Sequence, residues 1–148
     1  MKLLLLDIDG VLNTRLLRSR YGRDYVCPSR TARVDEICQR TGAKIVLSTS
    51  WVRCDGVVKT TAFLRGAGLK ADIVGAIDYN IETTDAEQDA GLSDRVKRIL
   101  AYLVGKDVVS YVALDDLYLV GVPLVHTTDT MGLLNEHVEK AVHLLGPL

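Results

Sequence analysis

The chain has 148 residues, 48% of them hydrophobic and 25% charged, with a formal net charge of −1. That balance is ordinary for a globular protein and predicts one domain over 1–148 with a buried core of its own. No stretch approaches the ~18 consecutive apolar residues of a membrane span, and Met1 to Leu6 is too short for the ~7–15-residue apolar region of a signal peptide, so a cytoplasmic protein without membrane partners is expected.

Leu3 to Leu6 is a run of four leucines followed by an acid. It predicts a short strand buried on both faces. Asp7 and Asp9 follow, with Ile8 between them. Along a strand, residues two apart point the same way, so the two carboxylates are expected on one face and Ile8 in the core. Gly10 supplies the turn that must come next. Paired acids at the carboxyl end of a buried parallel strand are a place to hold a divalent cation and do chemistry.

Asn13 to Pro28 has neither helical nor strand period, and it predicts a small basic flap with a short hairpin around Tyr21 to Val26. Ser29 then reads as the N-cap of a helix with Val34, Ile37 and Cys38 on one face, stopped by Gly42. Ile45-Val46-Leu47 is the second strand and runs into Ser48-Thr49-Ser50-Trp51. A helix over Val57 to Arg65 is closed by Gly66 and Gly68, and a third strand is expected at Asp72 to Ala76. Gly66-Ala67-Gly68 follows a helix, not a strand, so it is a helix stop and not a dinucleotide fingerprint.

Tyr79 to Gly91 is polar and acidic and predicts a solvated loop. Ser93 caps a helix over Asp94 to Val104, with Val96, Ile99, Leu100 and Leu103 as its apolar stripe. Val108 to Leu114 is the fourth strand, ending in Asp115-Asp116. Val122 to His126 is the fifth, and Leu133 to Leu145 a closing amphipathic helix. Strands alternating with helices mean an α/β fold, a doubly wound, Rossmann-like parallel sheet of about five strands.

Cys27, Cys38 and Cys54 are an odd count without metal-ligand spacing, which favours reduced thiols and gives zinc little support. Cys27 to Arg33 has the Cys-x5-Arg spacing of cysteine phosphatases, but its interior lacks glycine and begins with proline, which argues against a phosphate cradle. Charge is uneven along the chain. Residues 1–70 carry 13 Lys/Arg against 6 Asp/Glu, a net of +7, and residues 71–148 carry 5 against 13, a net of −8. Arg15, Arg18, Arg20, Arg23, Arg30 and Arg33 crowd into the flap and the helix start after the acidic motif. Arginine suits planar, bidentate phosphate recognition, so Arg15, Arg18 and Arg20 are the expected phosphate-backbone contacts.

The polar residues thus collect at strand ends: Asp7 and Asp9, then Ser48, Thr49 and Ser50, then Asp115 and Asp116, with a base (Arg95 or Lys97) opening the helix before strand four. Asp7-Ile8-Asp9-Gly10-Val11-Leu12 resembles the first motif of the haloacid dehalogenase (HAD) superfamily. Lys44 to Trp51 resembles the second, and Val112-Ala113-Leu114-Asp115-Asp116 the fourth. The four occur in family order across nearly the whole chain, and the Leu47 to Trp51 segment is similar to phosphatase domains of nucleic-acid repair proteins.

The resemblance implies a Mg²⁺-dependent phosphomonoesterase of the HAD type with a minimal cap. Asp7 would be the nucleophile that forms an aspartyl-phosphate, and Asp9 the acid and then the base. Mg²⁺ would be held by Asp7, the backbone carbonyl of Asp9, and Asp115 or Asp116. Thr49 would bind a phosphoryl oxygen, with Ser48 and Ser50 as alternatives, since a one-residue shift in the strand end would promote either. Arg95 and Lys97 lie about 100° to either side of Val96, so periodicity does not choose the third-motif base, although Arg95 is closer to the helix start. The open site and flap arginines imply nucleic-acid ends or nucleotides as substrate. A small-molecule nucleotide or sugar phosphatase is the enzyme alternative, and a non-catalytic phosphate or nucleic-acid binding module the other.

Overall fold

The computed structural model describes all 148 residues. Its centre is β1 (Lys2–Leu6), whose alternate leucines enter two different cores. Leu4 and Leu6 pack with Ile45, Leu47, Val112 and Leu114 in the larger cluster. Leu3 and Leu5 pack with Val46, Ala113, Val96 and Ile99 in the smaller one. All four are fully buried, so after Lys2 the strand carries no polar side chain until the acids at its end.

Around it lie β2 (Lys44–Leu47), β3 (Ile73–Ala76), β4 (Ser110–Asp115) and β5 (Leu124–His126). The sheet order is β3-β2-β1-β4-β5, and every pairing is parallel. The helices are α1 (Arg15–Tyr21), α2 (Pro28–Thr41), α3 (Trp51–Gly66), α4 (Asp85–Asp89), α5 (Asp94–Leu103) and α6 (Asn135–Leu145). Residues of α2, α3 and α6 cover the Leu4/Leu6 face, and those of α5 cover the Leu3/Leu5 face. This is the doubly wound α/β arrangement expected. The chain builds outward from β1 to β3, crosses the other face with α5, and resumes at β4, so the strand order reverses between β1 and β4. In such sheets the crevice for ligands opens at that reversal, beyond the carboxyl ends of the strands.

Several elements depart from expectation for local reasons. The flap contains no hairpin: Thr14 Oγ1 accepts the Leu17 N–H and starts α1, none of whose residues is buried. Helix α2 begins at Pro28, with Cys27 and not Ser29 at the N-cap; proline fits a first turn whose N–H groups lack partners in any case. The third helix begins at Trp51, six residues early, because Gly56 at φ 83° kinks two helical pieces into one. In the acidic 79–91 segment, a reciprocal pair between Thr84 and Glu87 caps the short helix α4, where a loop was expected. On α5 the buried stripe is Val96 and Ile99, while Leu100 is exposed.

Candidate active site

Strand alternation does not stop where the hydrogen-bonded ladder thins. The Asp7 N–H still donates to the Leu114 carbonyl, and that of Ser48 to the Leu6 carbonyl. Two positions beyond Leu5, Val46 and Ala113 respectively, Asp7, Ser48 and Asp115 therefore fall on the face covered by α5. All three are buried. Ser93 accepts the Val96 N–H and begins α5 just above them, which places Arg95 in its first turn over the strand ends.

Arg95 Nη1 donates to Asp115 Oδ2 at 2.7 Å and to the Ser48 carbonyl at 2.9 Å, and lies 3.7 Å from Asp7 Oδ2. Burial pulls the guanidinium pKa down, but Asp7 and Asp115 outweigh it and raise it. Lys97 points elsewhere: its Nζ donates to Glu87 at 2.7 Å and to the Glu82 carbonyl at 3.0 Å. Both bases flank Val96, but only the one nearer the helix start meets the acids.

Carboxylate oxygens of Asp7, Asp115 and Asp116 lie within 4.8 Å of one another. Burial, then the charge of Asp115, holds Asp7 well above the usual carboxylate range against the opposing pull of Arg95. Burial and Asp115 likewise raise Asp116. Three crowded acids with one arginine among them are short of positive charge, and an all-oxygen set of this kind fits a hard divalent cation. Gly10, at φ 78°, lets the backbone pass against the Asp116 carboxylate where a Cβ would collide.

Asp9 is placed by the turn and not by strand alternation. The N–H groups of Val11 and Leu12 both donate to the Ile8 carbonyl, and the chain curls into a helical turn. The Asp9 carboxylate stands outside the three-acid cluster and accepts from Asn13 Nδ2 at 3.0 Å. Asn13 is fully buried and uses both ends of its amide. Its Oδ1 accepts from the Gly10 N–H and Arg18 Nη1, and its Nδ2 also donates to the Tyr25 carbonyl. Arg18 is in turn locked to Asp129 by two bonds of 2.7 and 2.8 Å.

Asp9, Arg18, Arg23, Asp24, Ser50 and Asp55 line a cavity of about 370 Å³ between the flap and the start of α3. Ser50 is exposed on its wall. Ser48 and Thr49 are both buried. Thr49 Oγ1 accepts the Trp51 N–H at 3.3 Å, whereas Ser48 Oγ has no partner. Four more buried polar atoms lack partners, among them Arg95 Nε and the Tyr79 hydroxyl. Arg15 and Arg20 lie exposed on α1, apart from the acids. Arg30 and Arg33 are clamps, donating to the Met131 and Leu133 carbonyls and to Asn135. Cys27 caps α2 and Arg33 faces the 131–135 segment, so the two do not share a loop around an anion. Trp51 is 6% exposed and meets Phe63 edge-on at 5.7 Å, a packing role.

Asn13, Asp129, Tyr79, Asp24 and Asp55 escaped the sequence reading as site residues. Asn13 and Asp24 stand within the flap, Tyr79 and Asp129 in segments without periodicity, and Asp55 inside a helix placed too late.

The family described as the HAD domain in Swiss Army Knife RNA repair proteins matches residues 3–138, and so takes in every residue of the strand-end cluster. The chain belongs to this family. No curated protein and no solved structure gave a match. In this HAD domain Arg95, not Lys97, is the base that reaches the acids at the ends of β1 and β4.

Proposed function

We propose that this HAD domain is a phosphomonoester hydrolase that removes a terminal phosphate from nucleic-acid ends or nucleotides. The observation that carries the reading is Arg95 Nη1 between Asp7 and Asp115 within a three-carboxylate cluster, with Asp9 a few residues on facing a cavity.

Phosphoryl transfer needs an in-line nucleophile, charge neutralisation and positioned phosphoryl oxygens. A carboxylate oxygen of Asp7 bonds to phosphorus as the ester P–O bond breaks, and Asp9 passes a proton to the leaving oxygen. Water then attacks phosphorus and gives its proton to Asp9. The bond from Asp7 to phosphorus breaks, which restores the carboxylate and releases inorganic phosphate. The Asn13 amide fixes Asp9 for both transfers. Arg95 favours the ionised form of Asp7. Ser48 Oγ, buried and without a protein partner, and Thr49 Oγ1, which only accepts the Trp51 N–H, are hydroxyls free to donate to a phosphoryl oxygen.

Asp7, Asp115 or Asp116, and the backbone carbonyl of Asp9 would hold Mg²⁺, which when bound supplies charge neutralisation for the phosphoryl oxygens. Arg15 and Arg20, exposed and in no ion pair, favour a polyanionic substrate. The ~370 Å³ cavity beside Asp9 favours a second reading on size, a phosphatase of free mononucleotides.

The test is release of inorganic phosphate from phosphorylated RNA and DNA oligonucleotides and from mononucleotides, with Mg²⁺ and with chelator. Mg²⁺-dependent turnover of oligonucleotides is expected. Turnover of mononucleotides alone would favour the second reading, and none on any phosphoester would sink both.

A further inference from the structure

The chemistry above makes no use of two tyrosines on the flap. Tyr21 closes α1 and Tyr25 follows the turn at Gly22. Their ring centroids are 4.8 Å apart with planes tilted by 31°. The Arg20 guanidinium stands 5.7 Å from the Tyr21 centroid. Tyr21 remains 58% exposed and α1 buries none of its residues, so this stack is not part of the core. It is tied to the reaction site all the same: the Asn13 amide that holds Asp9 also holds the Tyr25 carbonyl.

The ground between stack and site is shaped as well. The cavity beside Asp9 is walled by Arg23 and Asp24. On the far side of Asp24, a second groove of about 380 Å³ runs between Tyr25, Val26, Pro28 and Phe63. Arg23 stands in the cavity wall and Arg20 beside the Tyr21 ring; both are exposed and neither is in an ion pair. An exposed aromatic face flanked by unpaired arginines, leading from a phosphate-chemistry site, is the combination that binds single strands: bases stack on rings while cations follow the backbone.

We propose that the flap is a docking surface for single-stranded RNA, with the terminal nucleoside in the cavity beside Asp9, a neighbouring base stacked on Tyr21, and the backbone along Arg20 and Arg23. The inference rests on the phosphomonoesterase reading and extends it from the end of the substrate to its strand. Charge complementarity selects a polyanion. Asp24, exposed in the cavity wall and in no ion pair, selects RNA over DNA, since a carboxylate accepts from a ribose 2′-hydroxyl that DNA lacks. Stacking is indifferent to base identity, so the surface reads strand length and sugar, not sequence.

The test measures fluorescence-anisotropy affinity for an RNA hexamer and a mononucleotide bearing the same terminal phosphate, alongside the matching DNA hexamer. It uses the full chain as wild type, Tyr21→Ala, Tyr21→Phe and Arg20→Ala. The wild type is expected to bind the RNA hexamer at least about tenfold more tightly than the mononucleotide. Tyr21→Ala should lose about tenfold on the hexamer and under twofold on the mononucleotide, with Tyr21→Phe retaining wild-type affinity. Arg20→Ala should weaken hexamer binding and flatten its salt dependence. Equal affinity of the wild type for hexamer and mononucleotide, equal losses on both in Tyr21→Ala, or DNA bound as tightly as RNA would overturn the proposal. Phosphate release is measured in parallel and separates the two claims. Mononucleotide turnover without a length effect keeps the phosphatase reading and removes the surface, whereas a Tyr21-dependent length effect without turnover does the reverse.

Discussion

Asn13 donates from Nδ2 to Asp9 Oδ1 at 3.0 Å and accepts at Oδ1 from Arg18 at 2.8 Å, so one buried amide links the proposed acid to the flap helix. Asn13→Ala removes four hydrogen bonds at once and strands the Gly10 N–H and an Arg18 N–H. Leaving a buried donor unpaired costs about 1–3 kcal/mol. The variant should therefore melt several degrees lower by calorimetry, and its kcat should fall roughly tenfold or more, the contribution of a positioned acid–base group being ~10²–10⁴-fold. A stable variant with unchanged kcat would show that Asp9 does not depend on this amide.

Arg95 and Lys97 should part company on substitution. Arg95→Met leaves Asp7 and Asp115 without their bridging cation and should lower kcat by roughly a hundredfold or more, the loss expected for one electrostatic group in a buried site. Lys97→Met breaks the partly exposed pair with Glu87, a surface ion pair of about 0–1 kcal/mol, and the bond to the Glu82 carbonyl, both away from the acids, and kcat should hold within about twofold. Steady-state phosphate release on both variants decides it.

The difference between those two bases also shows where the sequence was legible. The strands were readable because each is a short apolar run flanked by polar residues, and Leu3 to Leu6 fill two cores at once. The acids and hydroxyls were readable as strand ends. What failed was set by contacts distant in sequence. Arg18 pairs with Asp129 across 111 positions, and neither flank announces the other. The choice of Arg95 over Lys97 needed the position of α5 over the Leu3/Leu5 face, which periodicity around Val96 does not contain. The Thr84/Glu87 cap was a local signal outweighed by the polarity of 79–91, and the helical turn before the kink at Gly56 carried no apolar period to mark it.

Gly10 cannot be replaced cheaply. At φ 78° an alanine pays roughly 1–2 kcal/mol for its left-handed backbone, and its Cβ would collide with the Asp116 carboxylate. Gly10→Ala should lower Tm by several degrees and weaken the stabilisation of the fold by added Mg²⁺. A Mg²⁺ titration of Tm for wild type and variant, read as ligand-linked stabilisation, checks both effects.

His137 should cost the fold stability on mild acidification, opposite in sign to Asp7 and Asp116, whose raised values favour the folded chain as pH falls. Its Nδ1 accepts the Leu134 N–H at 2.9 Å at the start of α6, which only the neutral ring can do. Burial lowers its pKa from the ordinary 6.5. Above about pH 6.5 the ring is neutral folded or unfolded and its contribution is complete. As pH falls through that value the unfolded chain gains a proton that the folded chain resists, so stability is lost downward until the folded ring titrates too. Urea titrations of wild type and His137→Asn from pH 7.5 to 5 should give a smaller loss in the variant. Parallel losses would remove His137 from the account.

The most direct test of the central claim is acid-quenched peptide mapping of the protein during turnover of a phosphorylated oligonucleotide with Mg²⁺, paired with phosphate release by Asp7→Asn. The account predicts phosphate on the peptide containing Asp7 in the wild type, and at least about a thousandfold loss of turnover in the variant. An unlabelled Asp7 peptide together with appreciable turnover by Asp7→Asn would contradict it.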